Sequence, residues 1–139
     1  MALTTVMTAG AGAQGPPRVD VFKTSTCGCC AKWVEHLRAQ GFAAKTTDLA
    51  NLSEVKAKHN VPRAVQSCHT AIVGGYVIEG HVPAADIKRL LKERPAVVGL
   101  AVPGMPIGSP GMEGPDPNRY DVLSFDKQGK TRVFSTHGR

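Results

Sequence analysis

Arg18-Val19-Asp20-Val21-Phe22-Lys23-Thr24-Ser25-Thr26-Cys27-Gly28-Cys29-Cys30 runs from a short apolar strand into a turn holding three of the chain's four cysteines. Val19, Val21 and Phe22 read as strand, and Thr24-Ser25-Thr26 offers hydroxyls to cap a helix that begins within the cysteine motif. Beyond the motif, Cys30, Trp33, Val34 and Leu37 fall on one face at helical spacing, while Lys32, Glu35 and Arg38 fall mostly elsewhere; Gly41 ends the helix. A strand that turns directly into a helix through clustered thiols is an address for chemistry, and the remaining segments read as its support.

Working outward, Phe42 to Asp48 reads as a second strand and Leu52 to His59 as a short helix that stops before Pro62. Val61 to Ser67 is a loop. Thr70-Ala71-Ile72-Val73, Gly74-Gly75 and Tyr76-Val77-Ile78-Glu79 then spell strand, two-residue turn and strand. Pro83 and Asp86 open a helix with Ile87, Leu90 and Leu91 on one face, ending at Pro95. The order βαβαββα, with cysteines at the first strand-to-helix turn, is the pattern of an α/β thioredoxin-like fold. Ala96 to Arg119 reads as a long Gly/Pro/Met loop, functional or disordered. Tyr120 to Phe125, the turn Asp126-Lys127-Gln128-Gly129 and Thr131 to Ser135 read as a C-terminal β-hairpin.

At 139 residues the chain fits one domain, expected over residues 18–139, preceded by residues 1–17 as a disordered tail or the remnant of an export signal. Met1 to Gln14 is uncharged, and Ala11-Gly12-Ala13 follows the apolar run Leu3 to Met7 as a cleavage site would, although the basic start of an export signal is missing. Gly10-x-Gly12-x-x-Gly15 has no strand before it and Pro16-Pro17 after it, so it is not a dinucleotide site, and Asn51-Leu52-Ser53 is a glycosylation triplet by pattern only. No stretch approaches the roughly 20 apolar residues of a spanning helix. The net charge of +6 is spread over every segment, and one Trp, two Tyr and four Phe leave few rings for base stacking, which argues against nucleic acid as a partner.

Four cysteines are too few for a disulfide scaffold, and three within four residues cannot each staple a distant segment. At a helix N-terminus, Cys27, Cys29 and Cys30 gain thiolate character, and thiolates are both nucleophiles and metal ligands. Cys27-x-x-Cys30 has the spacing of a redox pair. Cys29 offers competing disulfides, and three thiolates in one turn suit a soft cation better. Cys68, just before the third strand, is placed by a thioredoxin-like topology beside the first helix start, with His69 next to it as either ligand or hydrogen-bonded strand-edge residue. Met105 and Met112 are candidate thioether donors from the long loop. Thiolate with thioether points to Cu(I) rather than to zinc, whose ligands come in two well-separated pairs, or to an iron–sulfur cluster. His81 reads as structural, and His36, His59 and His137 as surface residues.

Several strings also carry a resemblance: Lys23 to Cys30 with Trp33-Val34, Ser67-Cys68-His69-Thr70-Ala71, Gly75 to Ala84, Gly99 to Pro106, and Gly108-Ser109-Pro110-Gly111-Met112-Glu113. Together they resemble the CopG-type bacterial copper-resistance proteins over nearly the whole chain from Val19. The resemblance implies a periplasmic, thioredoxin-like protein that binds Cu(I), as several ions bridged by cysteine sulfur or as one. Its ligands would be Cys27, Cys29, Cys30 and Cys68, its partners copper ions and other copper-resistance proteins of the periplasm, and redox activity on copper stays open. The alternatives are a thiol–disulfide oxidoreductase using Cys27 and Cys30, and a docking module whose contact surface is the Gly/Pro loop.

Overall fold

The computed structural model describes residues 15–138, and the export-signal reading of residues 1–14 lies outside them. The expected mixed α/β architecture is present: a seven-stranded sheet with three α-helices among the described residues. Strand β1 (Arg18–Lys23) leads through helix α1 (Gly28–Ala39) to β2 (Ala43–Asp48), which pairs parallel to β1 from Arg18 opposite Ala43 to Lys23 opposite Asp48. Helix α2 (Ser53–Lys58) and a 3₁₀ turn (Arg63–Val65) precede the hairpin of β3 (Thr70–Val73) and β4 (Tyr76–Glu79). Strand β3 runs antiparallel to β1 on the side away from β2. Helix α3 (Ala84–Glu93) carries the chain to β5 (Gly99–Ala101), parallel to β4, and the antiparallel pair β6 (Tyr120–Phe125) and β7 (Thr131–His137) completes the order β2-β1-β3-β4-β5-β6-β7.

The period-two alternation of the strands sorts the core into two layers. Val19, Val21, Ala71, Val73, Ile78, Leu100 and Val122 share one buried cluster with Trp33, Val34 and Leu37 of α1 and Ile87 and Leu90 of α3. Val77, Ala101 and Phe125 form a second cluster with Val61 and Val65 from the segment after α2. Burying each large side chain contributes on the order of 1.5–3 kcal/mol, so Trp33 and Leu37 anchor α1 in the core and thereby fix its cysteine-bearing start.

Three expectations need correction. Strand β5 lies inside the stretch read as loop. It is only three residues long, and what makes it a strand is not its own propensity but the return of the chain parallel to β4 after α3. Gly99 permits that return, since a Cβ there would sit 1.8 Å from the Val77 carbonyl oxygen. Helix α1 is not capped by Thr24, Ser25 or Thr26: its N-cap is Cys27, which makes no side-chain capping bond. His36 and His137 are not simple surface residues, because the Ala84 N–H donates to His36 Nε2 at 3.1 Å and His137 Nε2 lies 2.7 Å from Asp86.

Candidate functional site

The β1–α1 turn places Cys27, Cys29 and Cys30 at the start of α1, with Cys30 wholly buried and the other two half-buried. Cys68 enters from the turn before β3. One sulfur from each of Cys27, Cys29, Cys30 and Cys68 lies within 4.8 Å of all the others. Cys27 and Cys30 are joined in a disulfide, Cys29 and Cys68 are free thiols, and Cys27 Sγ is 3.5 Å from Cys29 Sγ. The chain after β5 folds over this group. The Cys29 thiol donates to Met105 Sδ at 3.7 Å. Met112 lies half-buried in the same loop with backbone bonds to Gly108 and Ser109, and no hydrogen bond joins its sulfur to a cysteine among the described residues.

The residue that sequence reasoning undervalued is His81. It is fully buried, and its Nε2 faces Cys68 Sγ at 3.0 Å. Its Nδ1 lies 2.6 Å from the Pro110 carbonyl oxygen. A carbonyl only accepts, so Nδ1 carries the proton and Nε2 presents a lone pair to the sulfur. This is the orientation in which a histidine ligates a metal, with the other ring nitrogen anchored to backbone. His69 is also fully buried, with Nδ1 3.4 Å from Cys68 Sγ and its ring 4.2 Å from that of Trp33; its Nε2 has no hydrogen-bond partner among the described residues. Cys68, His69 and His81 therefore form a second potential donor group sharing Cys68 with the first. No periodicity marks His81 in the sequence; the only available signal was its place just beyond β4, beside the end of β3 that carries Cys68.

Burial sets the electrostatics. It pushes the Cys68 thiol up to about 11, with the nearby Cys29 acting in the same direction. It pulls His69 down to about 3, helped by His81 and Lys56, and lowers His81 against the opposing pull of the Pro110 carbonyl and Glu113. Both imidazoles are thus neutral near pH 7 and able to donate lone pairs. Desolvation disfavours the buried Cys68 thiolate, and a soft cation held by that sulfur would offset the cost.

A mixed α/β scaffold that brings four cysteine sulfurs, one thioether and two buried imidazoles together from separate segments fits the class of thiol- or metal-handling proteins. The chain belongs to the CopG copper-resistance family. Two solved structures named "Copper resistance protein copG", Form 1 and Form 2, are each 44% identical to it. The alignments cover 89% and 88% of this chain and 99% of each of those, with TM-scores of 0.84 and 0.83. Residues 65–112, which include Cys68, His81 and Met105, also match the family described as "Protein of unknown function, DUF411". The comparison with curated proteins gives no match. Family membership and the cysteine cluster together fit a copper-related role.

Proposed function

We propose that this protein binds Cu(I) through Cys27, Cys29, Cys30 and Cys68, with Met105 and His81 as further donors, and so sequesters or relays copper in the bacterial envelope. The observation that carries this reading is the convergence of four sulfurs within 4.8 Å beside a thioether that already touches Cys29. Soft thiolate and thioether donors favour Cu(I), and four thiolates so close together can bridge more than one ion. Exchange with an external dithiol, which leaves as its own disulfide, reduces the Cys27–Cys30 disulfide to two thiols, and these lose their protons when they ligate copper. Periplasmic placement and the thioredoxin-like relation of the β1–α1–β2 unit belong to the same reading, as does exchange of copper with other resistance proteins.

The test is anaerobic titration of the fully reduced protein with Cu(I) against a competing chelator. Tight uptake of at least one equivalent, weakened by Cys29→Ser or Cys68→Ser, is expected. Failure to compete would sink the reading. The disulfide itself favours a second reading, a thiol–disulfide oxidoreductase working through Cys27 and Cys30. That activity would survive Cys29→Ser and Cys68→Ser in an assay of protein disulfide reduction, whereas copper binding would not.

A further inference from the structure

Beneath the sulfur site lies a charged pair that neither reading uses. Glu79, the last residue of β4, is fully buried, and Lys56 of α2 is nearly so. Glu79 Oε2 accepts from Lys56 Nζ at 2.5 Å and from the Ser67 backbone N–H at 2.9 Å; Glu79 Oε1 accepts from the Thr70 hydroxyl at 2.5 Å. Lys56 Nζ also donates to Thr70 Oγ1 at 3.0 Å. Cys68 and His69 are the two residues between these anchor points.

A buried ion pair is weak evidence for stability, since apolar residues of similar volume often serve as well or better. What an apolar pair could not do is fix a backbone N–H on one side of Cys68-His69 and a hydroxyl on the other. The opposite wall of the site is bound to the same frame. The Gly80 N–H donates to the His69 carbonyl at 3.0 Å, and a Cβ on Gly80 would come within 2.7 Å of the Ser67 side chain, so the chain leading to His81 is pressed directly onto the Cys68 turn. Ser67 Oγ in turn donates to the Gly104 carbonyl at 2.6 Å, beside Met105.

We infer that the Lys56–Glu79 pair is a positioning device: it holds the Cys68 thiol against His81 Nε2 and, through Ser67, seats the Met105 loop over the sulfurs. The inference rests on the proposed copper site for its purpose, but its geometry can be tested without copper. In a Cys27→Ser, Cys29→Ser, Cys30→Ser background, Cys68 is the sole thiol, and its alkylation rate reports how firmly it is held. Glu79→Leu with Lys56→Met removes the clamp while leaving no unpaired charge. Glu79→Gln with Lys56→Met keeps an acceptor for Ser67 N–H and a donor for Thr70.

The apolar pair is expected to raise the alkylation rate by about tenfold, the scale of one lost buried hydrogen bond, and the Gln/Met pair to remain within about threefold of the parent. In the full-cysteine protein Cu(I) affinity should fall and recover in the same order. A folded apolar variant that alkylates at the parent rate overturns the inference. Should circular dichroism show that variant unfolded, Thr70→Val removes the hydroxyl's bonds to Glu79 Oε1 and Lys56 Nζ while leaving the Ser67 anchor on Oε2, and an unchanged rate there overturns it equally. Loss of copper binding in the unmodified protein would refute the copper reading, while the alkylation series would still judge the clamp.

Discussion

Substituting Gly111 by alanine tests whether the loop after β5 is seated on the site or merely near it. Gly111 has φ +95°, and an added Cβ would lie 2.7 Å from the Cys29 carbonyl oxygen and 2.9 and 3.0 Å from atoms of the His81 ring. Ordinary contact begins near 3.4 Å, so the loop must retreat by about 0.7 Å. Neither neighbour can give way easily: one is backbone, and the other is buried between Cys68 and the Pro110 carbonyl. The positive φ costs about 1–2 kcal/mol for a residue with a Cβ. Losing the bond from His81 to Pro110 adds about 1–3 kcal/mol, because a buried donor is left without a partner. Gly104 supplies the control, with φ +70° and nothing within 4 Å of its Cβ position, so Gly104→Ala carries only the backbone cost. Thermal unfolding of the oxidised, metal-free proteins should show a loss for Gly111→Ala roughly twice that of Gly104→Ala or more. Cu(I) competition on the reduced proteins should show weakened binding chiefly in Gly111→Ala. Equal losses for the two alanines would refute the seating of the loop.

Other perturbations reach different parts of the structure. His36 accepts the Ala84 N–H at the start of α3, which only the neutral ring can do; burial lowers its pKa, with Lys88 reinforcing and Glu113 opposing. Because the folded pKa is depressed, this stabilisation is present above about pH 6.5 and is lost as pH falls through the folded value. His69, held at about 3, acts in the same direction. Urea midpoints at pH 7.5 and 5.0 should therefore fall for the parent protein, and fall less for His36→Gln, whose amide oxygen accepts the same N–H without titrating; an equal fall would refute the role. Met105→Leu should weaken Cu(I) binding in chelator competition, whereas Met112→Leu should leave it within about twofold, a change worth less than 0.5 kcal/mol. Gly99→Ala should abolish the folded near-ultraviolet dichroism, since a Cβ 1.8 Å from the Val77 carbonyl cannot coexist with the β4–β5 pairing.

The order of elements through α3 was legible because each carries its own signal: apolar alternation in β1, a helical stripe at Trp33, Val34 and Leu37, and Gly74-Gly75 between β3 and β4. Strand β5 was not legible, because three residues hold no periodicity and its pairing is dictated by β4 and β6 on either side. The gathering of the four cysteines with Met105 was legible from donor chemistry, whereas Met112, read from the same loop, has no bond from its sulfur to a cysteine among the described residues. His81 was not, since its approach to Cys68 depends on the turn at Gly80, whose φ of +75° brings β4's exit onto Ser67. Lys56 and Glu79 were invisible for the same reason: one sits on a short polar helix and the other ends a strand, and only the tertiary fold turns them toward each other.

The disulfide and the proposed copper site use the same atoms, so the two readings of the motif are thermodynamically linked rather than merely alternative. While Cys27 and Cys30 are bonded to each other, only two of the four sulfurs are available as thiolates, and the oxidised protein should bind Cu(I) more weakly than the reduced one. Linkage is reciprocal, so copper that prefers the dithiol must make the disulfide easier to reduce. With one ion bound only to the reduced form, free Cu(I) at a hundredfold its dissociation constant supplies about 2.7 kcal/mol. For a two-electron couple this raises the midpoint potential by about 60 mV. Equilibration in glutathione buffers, with free Cu(I) held constant by a chelator and the disulfide scored by alkylation and mass, measures the shift directly. A midpoint indifferent to copper would mean that Cys27 and Cys30 are not ligands, and would leave Cys29, Cys68, Met105 and His81 as a separate donor set beside an independent redox pair.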